Sequence, residues 1–101
     1  MDKLEKGTVF ILSNNCYTKG LYFVGVTDNL NDTVSKMDND ESVPYPFTVE
    51  YYTETIDNAF EKFKKFPKKL VRREVSESEL WVETDLSRII KSIKYHIQDV
   101  K

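Results

Sequence analysis

The sequence predicts an α+β fold: a small three-stranded, mostly antiparallel sheet with a short fourth strand, flanked by about three helices. Three observations predict it. Three runs rich in β-branched and aromatic residues, TVFILS (8–13), LYFVGVT (21–27) and FTVEYY (47–52), read as strands. Three other segments repeat apolar residues at a spacing of three to four, the period of a helix with one buried face. The first two runs are separated by a short stretch of turn composition, NNCYTKG (14–20), so they form a hairpin, and a hairpin feeding a third strand favours an antiparallel sheet with helices against it. The 101 residues make one domain, with no internal repeat and no linker.

Each element has its own signal. In the first turn Gly20 is able to take positive φ. After the second strand, Asp28 or Asn29 caps a helix over residues 30–37 that places Leu30, Val34 and Met37 on one face. Residues 38–46, DNDESVPYP, form a loop held extended by Pro44 and Pro46. Alternation in the third strand puts Phe47, Val49 and Tyr51 on one side. Asp57 caps a second helix with the stripe Ala59, Phe60, Phe63 and Phe66, ended by Pro67. ELWVE (79–83) is the short fourth strand. The last helix is the cleanest: Leu86, Ile89, Ile90, Ile93, Ile97 and Val100 line one side, with Thr84 or Asp85 as cap.

Charge is segregated along the chain. Net charge is −2, yet residues 62–73, KFKKFPKKLVRR, hold seven of the fifteen basic residues and no acid. Residues 28–41 carry five acids and one lysine, and residues 74–85 carry five acids and no base. Such a chain is not globally attracted to nucleic acid. One basic patch beside acidic ones suits a protein contact. The patch residues are Lys64, Lys65, Lys68, Lys69, Arg72 and Arg73, with a phosphate backbone as the other candidate partner. No apolar run approaches the ~20 residues of a bilayer span, and there is no signal-peptide layout, so an intracellular setting and no membrane partner are expected. Cys16 is the only cysteine and His96 the only histidine, which argues against a zinc site. His96 reads as a helix-end side chain. Tyr45, Tyr51, Tyr52 and Trp81 are divided between core and surface, with Trp81 in the core.

Four blocks in order carry a family resemblance: GTVFILSN (7–14), GLYFVGVTDNLNDTV (20–34), SVPYPFTVEYYTETIDNA (42–59) and SELWVETDL (78–86). Together they resemble the GIY-YIG nuclease superfamily, in the branch common in phages and large DNA viruses. The resemblance implies a metal-dependent DNA endonuclease, with a tyrosine in the first block and a tyrosine or lysine in the second. It also implies an arginine on the first helix and a metal-binding glutamate on the next. Carried over, these fall on Phe10, Phe23 and Thr33, while the glutamate falls on Glu61 or, in an equally good register, on Lys64. The resemblance also implies a histidine further along that helix, where this chain has Pro67 nearby. Tyr22 does not replace Phe23, because adjacent strand residues face opposite ways. Loss of hydroxyl and guanidinium removes proton handling and charge stabilisation together.

The expectation is therefore an inactive GIY-YIG-like domain serving as a protein-interaction or structural module, without cofactor. It acts on a protein partner or on itself, in a host cytoplasm or nucleus or in a virion. An aromatic patch around Phe10 and Phe23 is expected where the active site was. A divergent endonuclease using magnesium or manganese and a non-cleaving nucleic-acid binder are the alternatives.

Overall fold

The computed structural model describes residues 6–14, 20–39 and 46–98. Expectations for Cys16, Pro44, Tyr45, Val100 and most of the two loops at 14–20 and 38–46 lie outside the described residues. The strands are β1 (Lys6–Ser13), β2 (Leu21–Thr27), β3 (Thr48–Tyr52), β4 (Ile56–Asp57), β5 (Val71–Ser76) and β6 (Glu79–Glu83). The helices are α1 (Leu30–Asp38), α2 (Ala59–Phe63) and α3 (Leu86–His96), with a single 3-10 turn at Lys68–Leu70. The α+β class stands, but the sheet is larger than three strands. Five strands run in the order β3-β1-β2-β6-β5, every pair is antiparallel, and β4 pairs with the start of β1.

β1 explains its own continuous apolar run. Val9 and Ile11 point to one side and Phe10 and Leu12 to the other, and all four are buried. A strand covered on both faces shows no polar alternation. On one face α2 and α3 bring Ala59, Phe63, Phe66, Ile89, Ile93 and Ile97 against Val9, Ile11, Val24, Val26, Leu80 and Val82. On the other face α1 lays Leu30, Val34 and Met37 over Phe10, Leu12, Phe23 and Phe47. The result is three layers, with the sheet between α1 and the α2–α3 pair.

Several local expectations are corrected. β5 was not expected, because its first residues belong to the basic patch and gave no strand signal. Only Val71 of its six residues is even half-buried, so the strand carries no periodic signal. It closes a hairpin with β6 through Glu77 and Ser78, and the Ser78 carbonyl accepts from the Val26 amide at 3.0 Å. β6 is not peripheral, because it pairs with β2 on one side and β5 on the other. Asp57 does not cap α2. It lies in β4 opposite Lys6, 3.9 Å from its ammonium, and the cap position is Asn58 in the left-handed region at φ 55°. α2 stops at Phe63, well before Pro67, and a turn carries the chain on so that Phe66 stacks beside Phe63 at 6.3 Å. In β3 a register shift around Glu50 breaks the alternation. Tyr51 joins the α3 side while Phe47 joins the α1 side.

The helix starts follow their chemistry. Asn29, not Asp28, caps α1, and its side chain accepts from the Asp32 amide at 3.0 Å. Asp85 occupies the cap position of α3 but makes no side-chain capping bond. Gly20 takes φ 90°, as the turn required, and its carbonyl accepts from the Thr84 amide at 3.0 Å.

Candidate functional site

Phe10 and Phe23 come together, but in the interior rather than in an open patch. Their rings stack at 6.3 Å with planes 28° apart, and they are 1% and 5% exposed. Trp81 meets Phe23 edge-on at 5.0 Å and is half-buried rather than fully enclosed. The open aromatic patch expected here is absent, because α1 covers both rings. Gly25 makes the arrangement possible. It lies opposite Phe10 across the β1–β2 pair, and a Cβ there would sit 2.7 Å from the Phe10 Cζ. The phenyl ring occupies the space a side chain at residue 25 would take.

Thr33 lies on α1, half-buried, with its hydroxyl 2.7 Å from that of Thr27. The same Thr27 oxygen accepts from the Asn29 amide at 3.2 Å. These bonds fasten α1 to the end of β2. Tyr22 faces the α2–α3 layer, away from Phe23, as alternation required. Glu61 is on α2, exposed, with a carboxylate oxygen 3.7 Å from the Lys64 ammonium. Because α2 packs on the face opposite α1, the sheet lies between Glu61 and the Phe10–Phe23 pair. The four positions therefore do not form one constellation. Among the described residues no group of three or more His, Cys, Asp or Glu side chains is placed to hold a metal ion.

The basic segment is not one helix but the end of α2, a turn, the 3-10 turn and the start of β5. Its charges divide into two sets. Lys64 pairs with Glu61 and sits over the Phe60 ring at 5.2 Å. Lys68 pairs with Glu74 at 3.5 Å, and Arg72 donates to Glu83 at 2.6 Å. Exposed pairs of this kind contribute about 0–1 kcal/mol each, yet they neutralise half of the patch. Lys65, Lys69 and Arg73 are exposed and have no acidic partner among the described residues. A small pocket of about 270 Å³ here is lined by Phe63, Lys64, Lys68, Glu74 and Glu77, a mixed-charge wall unsuited to an anion alone.

Sequence reasoning missed a second feature, a cleft of about 470 Å³ between α1 and the outer strand β3. Leu30, Asn31, Val49, Tyr52, Glu54 and Thr55 line it. Tyr52 is 62% exposed, and the only clue in the sequence was the aromatic pair Tyr51–Tyr52 in a strand with one core face. Tyr51 is the inward member. Its hydroxyl donates to the Gln98 side chain at 2.8 Å, and burial raises its phenol above the ordinary value of 10.0, an effect the Gln98 bond opposes. His96 ends α3 with its ring edge-on to Tyr95 at 4.9 Å. Among the described residues no helix is long and apolar enough to cross a membrane. No protein-family model, curated protein or solved structure matches this chain.

Proposed function

We propose that this chain is a non-catalytic domain on a GIY-YIG-like scaffold, of the phage and large-DNA-virus kind, that works by binding protein. One observation carries the reading: the two positions that the resemblance assigns to phosphate chemistry are stacked phenyl rings closed under α1. A phenyl ring neither activates water nor stabilises a phosphorane, and a ring sealed from solvent meets no substrate. Thr33 in place of the arginine is already engaged with Thr27. Aromatic bulk that once could serve chemistry now serves packing. Unlike charges on one small body supply the means of partner encounter.

The test is incubation of the purified chain with supercoiled plasmid and magnesium or manganese. No nicking is expected. Specific cleavage that disappears with Glu61→Ala overturns the reading and promotes the endonuclease alternative. The free set Lys65, Lys69 and Arg73 favours a second reading, a nucleic-acid binder without cleavage. Retention on DNA that falls steeply with salt and is lost with Lys65→Glu, Lys69→Glu and Arg73→Glu together supports that alternative.

A further inference from the structure

β3 is an outer strand. Among the described residues it pairs only with β1, so its other side leaves a row of backbone N–H and C=O groups. Two exposed hydrophobics stand on it, Val49 at 38% and Tyr52 at 62%. They face the same side of the sheet. Val49 lies opposite Leu12 and Tyr52 opposite Phe10, and both partners belong to the core under α1. That is the side of the α1–β3 cleft, which both residues line. Glu54 lines it too, exposed and without an ion pair among the described residues. The described lining includes no lysine, arginine or histidine. The positive end of α1 reaches the cleft at Asn29 and Asn31, and the exposed Asp28 directly before the cap offsets it.

We propose that this edge and this cleft together take an extended segment of a partner protein that carries an arginine or a lysine. The proposal rests on the protein-binding reading above and names the surface and the chemistry it recognises. The segment adds to the outer side of β3 as one more strand. Residues directly opposite each other in a ladder share a face. A side chain opposite Tyr52 therefore points to the α1 side, where the cleft lies. There a guanidinium or ammonium meets the phenol ring of Tyr52 and the carboxylate of Glu54. The spacing follows from β1. Phe10 and Leu12 are two residues apart, yet they stand opposite Tyr52 and Val49, because β3 carries an extra residue at Glu50. A regular segment on the outer side keeps the same stride. Its cation then stands two residues from an apolar side chain that packs on Val49.

Charge names the occupant. The cleft holds an uncompensated acid and no base, so an acidic segment or a phosphate backbone is repelled and a basic one is drawn in. The other outer strand, β5, lacks this combination. It shifts register twice against β6 and presents Arg72, Arg73 and Glu74 side by side, with no single preferred sign. Contact at β3 is small and partly exposed, so the expected complex is weak and salt-sensitive.

Titration of the full chain with a blocked heptapeptide, acetyl-Thr-Val-Thr-Arg-Thr-Val-Thr-amide, tests this. The probe sets a valine two residues from the arginine whichever way it runs. Amide NMR signals of β3 and of the start of α1 are expected to shift and saturate, and the affinity to fall with salt. The same peptide with glutamate for arginine is expected not to saturate over that range. Tyr52→Ala and Glu54→Gln are each expected to raise the Kd about two- to fivefold. Tyr52→Phe keeps the ring and is expected to bind like the wild-type chain. Both side chains are exposed, so these variants leave the core untouched. An arginine peptide that does not saturate at millimolar concentration, a glutamate peptide that binds equally, or a Kd indifferent to both Tyr52→Ala and Glu54→Gln overturns the proposal. Shifts centred on Lys65, Lys69 and Arg73 instead of β3 overturn it as well. Plasmid cleavage in the earlier assay sinks the non-catalytic reading whatever the peptide does. A non-cleaving chain that ignores the peptide sinks this site and leaves protein binding to another surface.

Discussion

At the scale of single residues, the Phe10–Gly25 contact is the most demanding. The para carbon of Phe10 already sits where a Cβ of residue 25 would be. Phe10→Tyr, which restores the hydroxyl of the resembled nucleases, adds an oxygen at that carbon and forces the ring or the strand to move. Overpacking of this sort typically costs about 1–3 kcal/mol, and urea unfolding is expected to show a loss in that range. The same variant is expected to remain inactive on plasmid, because the ring stays beneath α1. Tyr51 has a different signature. Its phenol is raised above 10.0 in the folded chain, so folding favours the protonated form. That contribution is complete below pH ~10 and is lost as pH rises through the folded value. Tyr51→Phe should therefore flatten the fall in melting temperature above pH ~10, relative to the wild-type chain. An unchanged alkaline slope would remove Tyr51 from the account.

At the scale of elements, α1 is the covering layer of one sheet face and it is short, with none of its residues fully buried. Its hold depends on the Asn29 cap and the Thr27–Thr33 bond. Asn29→Ala is expected to cost about 1 kcal/mol, read as a lower urea midpoint, and to raise amide exchange in α1 before the rest of the chain. The elements also differ in how legible they were. β1, β2, β6, α1 and α3 announced themselves through apolar runs or a 3.6-residue stripe, since each turns at least one apolar face toward the core. β5 did not, because an edge strand with Arg72, Arg73 and Glu74 at its centre buries almost nothing and resembles a solvated helix end. Asp57 misled for a related reason. An aspartate two residues before an apolar stripe reads as a cap, but pairing with Lys6 pulled it into β4 and left Asn58 to turn the chain. The candidate site was legible as a pair of positions, Phe10 and Phe23. Its burial was not, since nothing local says that α1 folds over the two rings. Likewise the division of the basic patch into paired and free cations depends on Glu74 and Glu83, residues brought back by a hairpin that was not foreseen.

At the scale of the whole molecule, that division changes how the patch should be probed. Reversing Lys68 or Arg72 strips a partner from Glu74 or Glu83 and sets like charges together on the surface. Among the patch residues, Lys65, Lys69 and Arg73 are the clean probes. A further consequence follows from where β1 sits. It is the first strand of the chain, yet it pairs with residues up to Asp57, and its neighbour β2 pairs with residues up to Glu83. Loops that long must close before the sheet gains its ladder bonds, a topology that folds in roughly milliseconds to seconds rather than microseconds. Stopped-flow refolding from urea should fall in that slow range. A growing chain on the ribosome therefore carries the β1–β2 hairpin, apolar on both sides, until α3 is made to cover it. Quality control by chaperones, rather than stability of the finished domain, then becomes the step at which core substitutions in β1 are first felt.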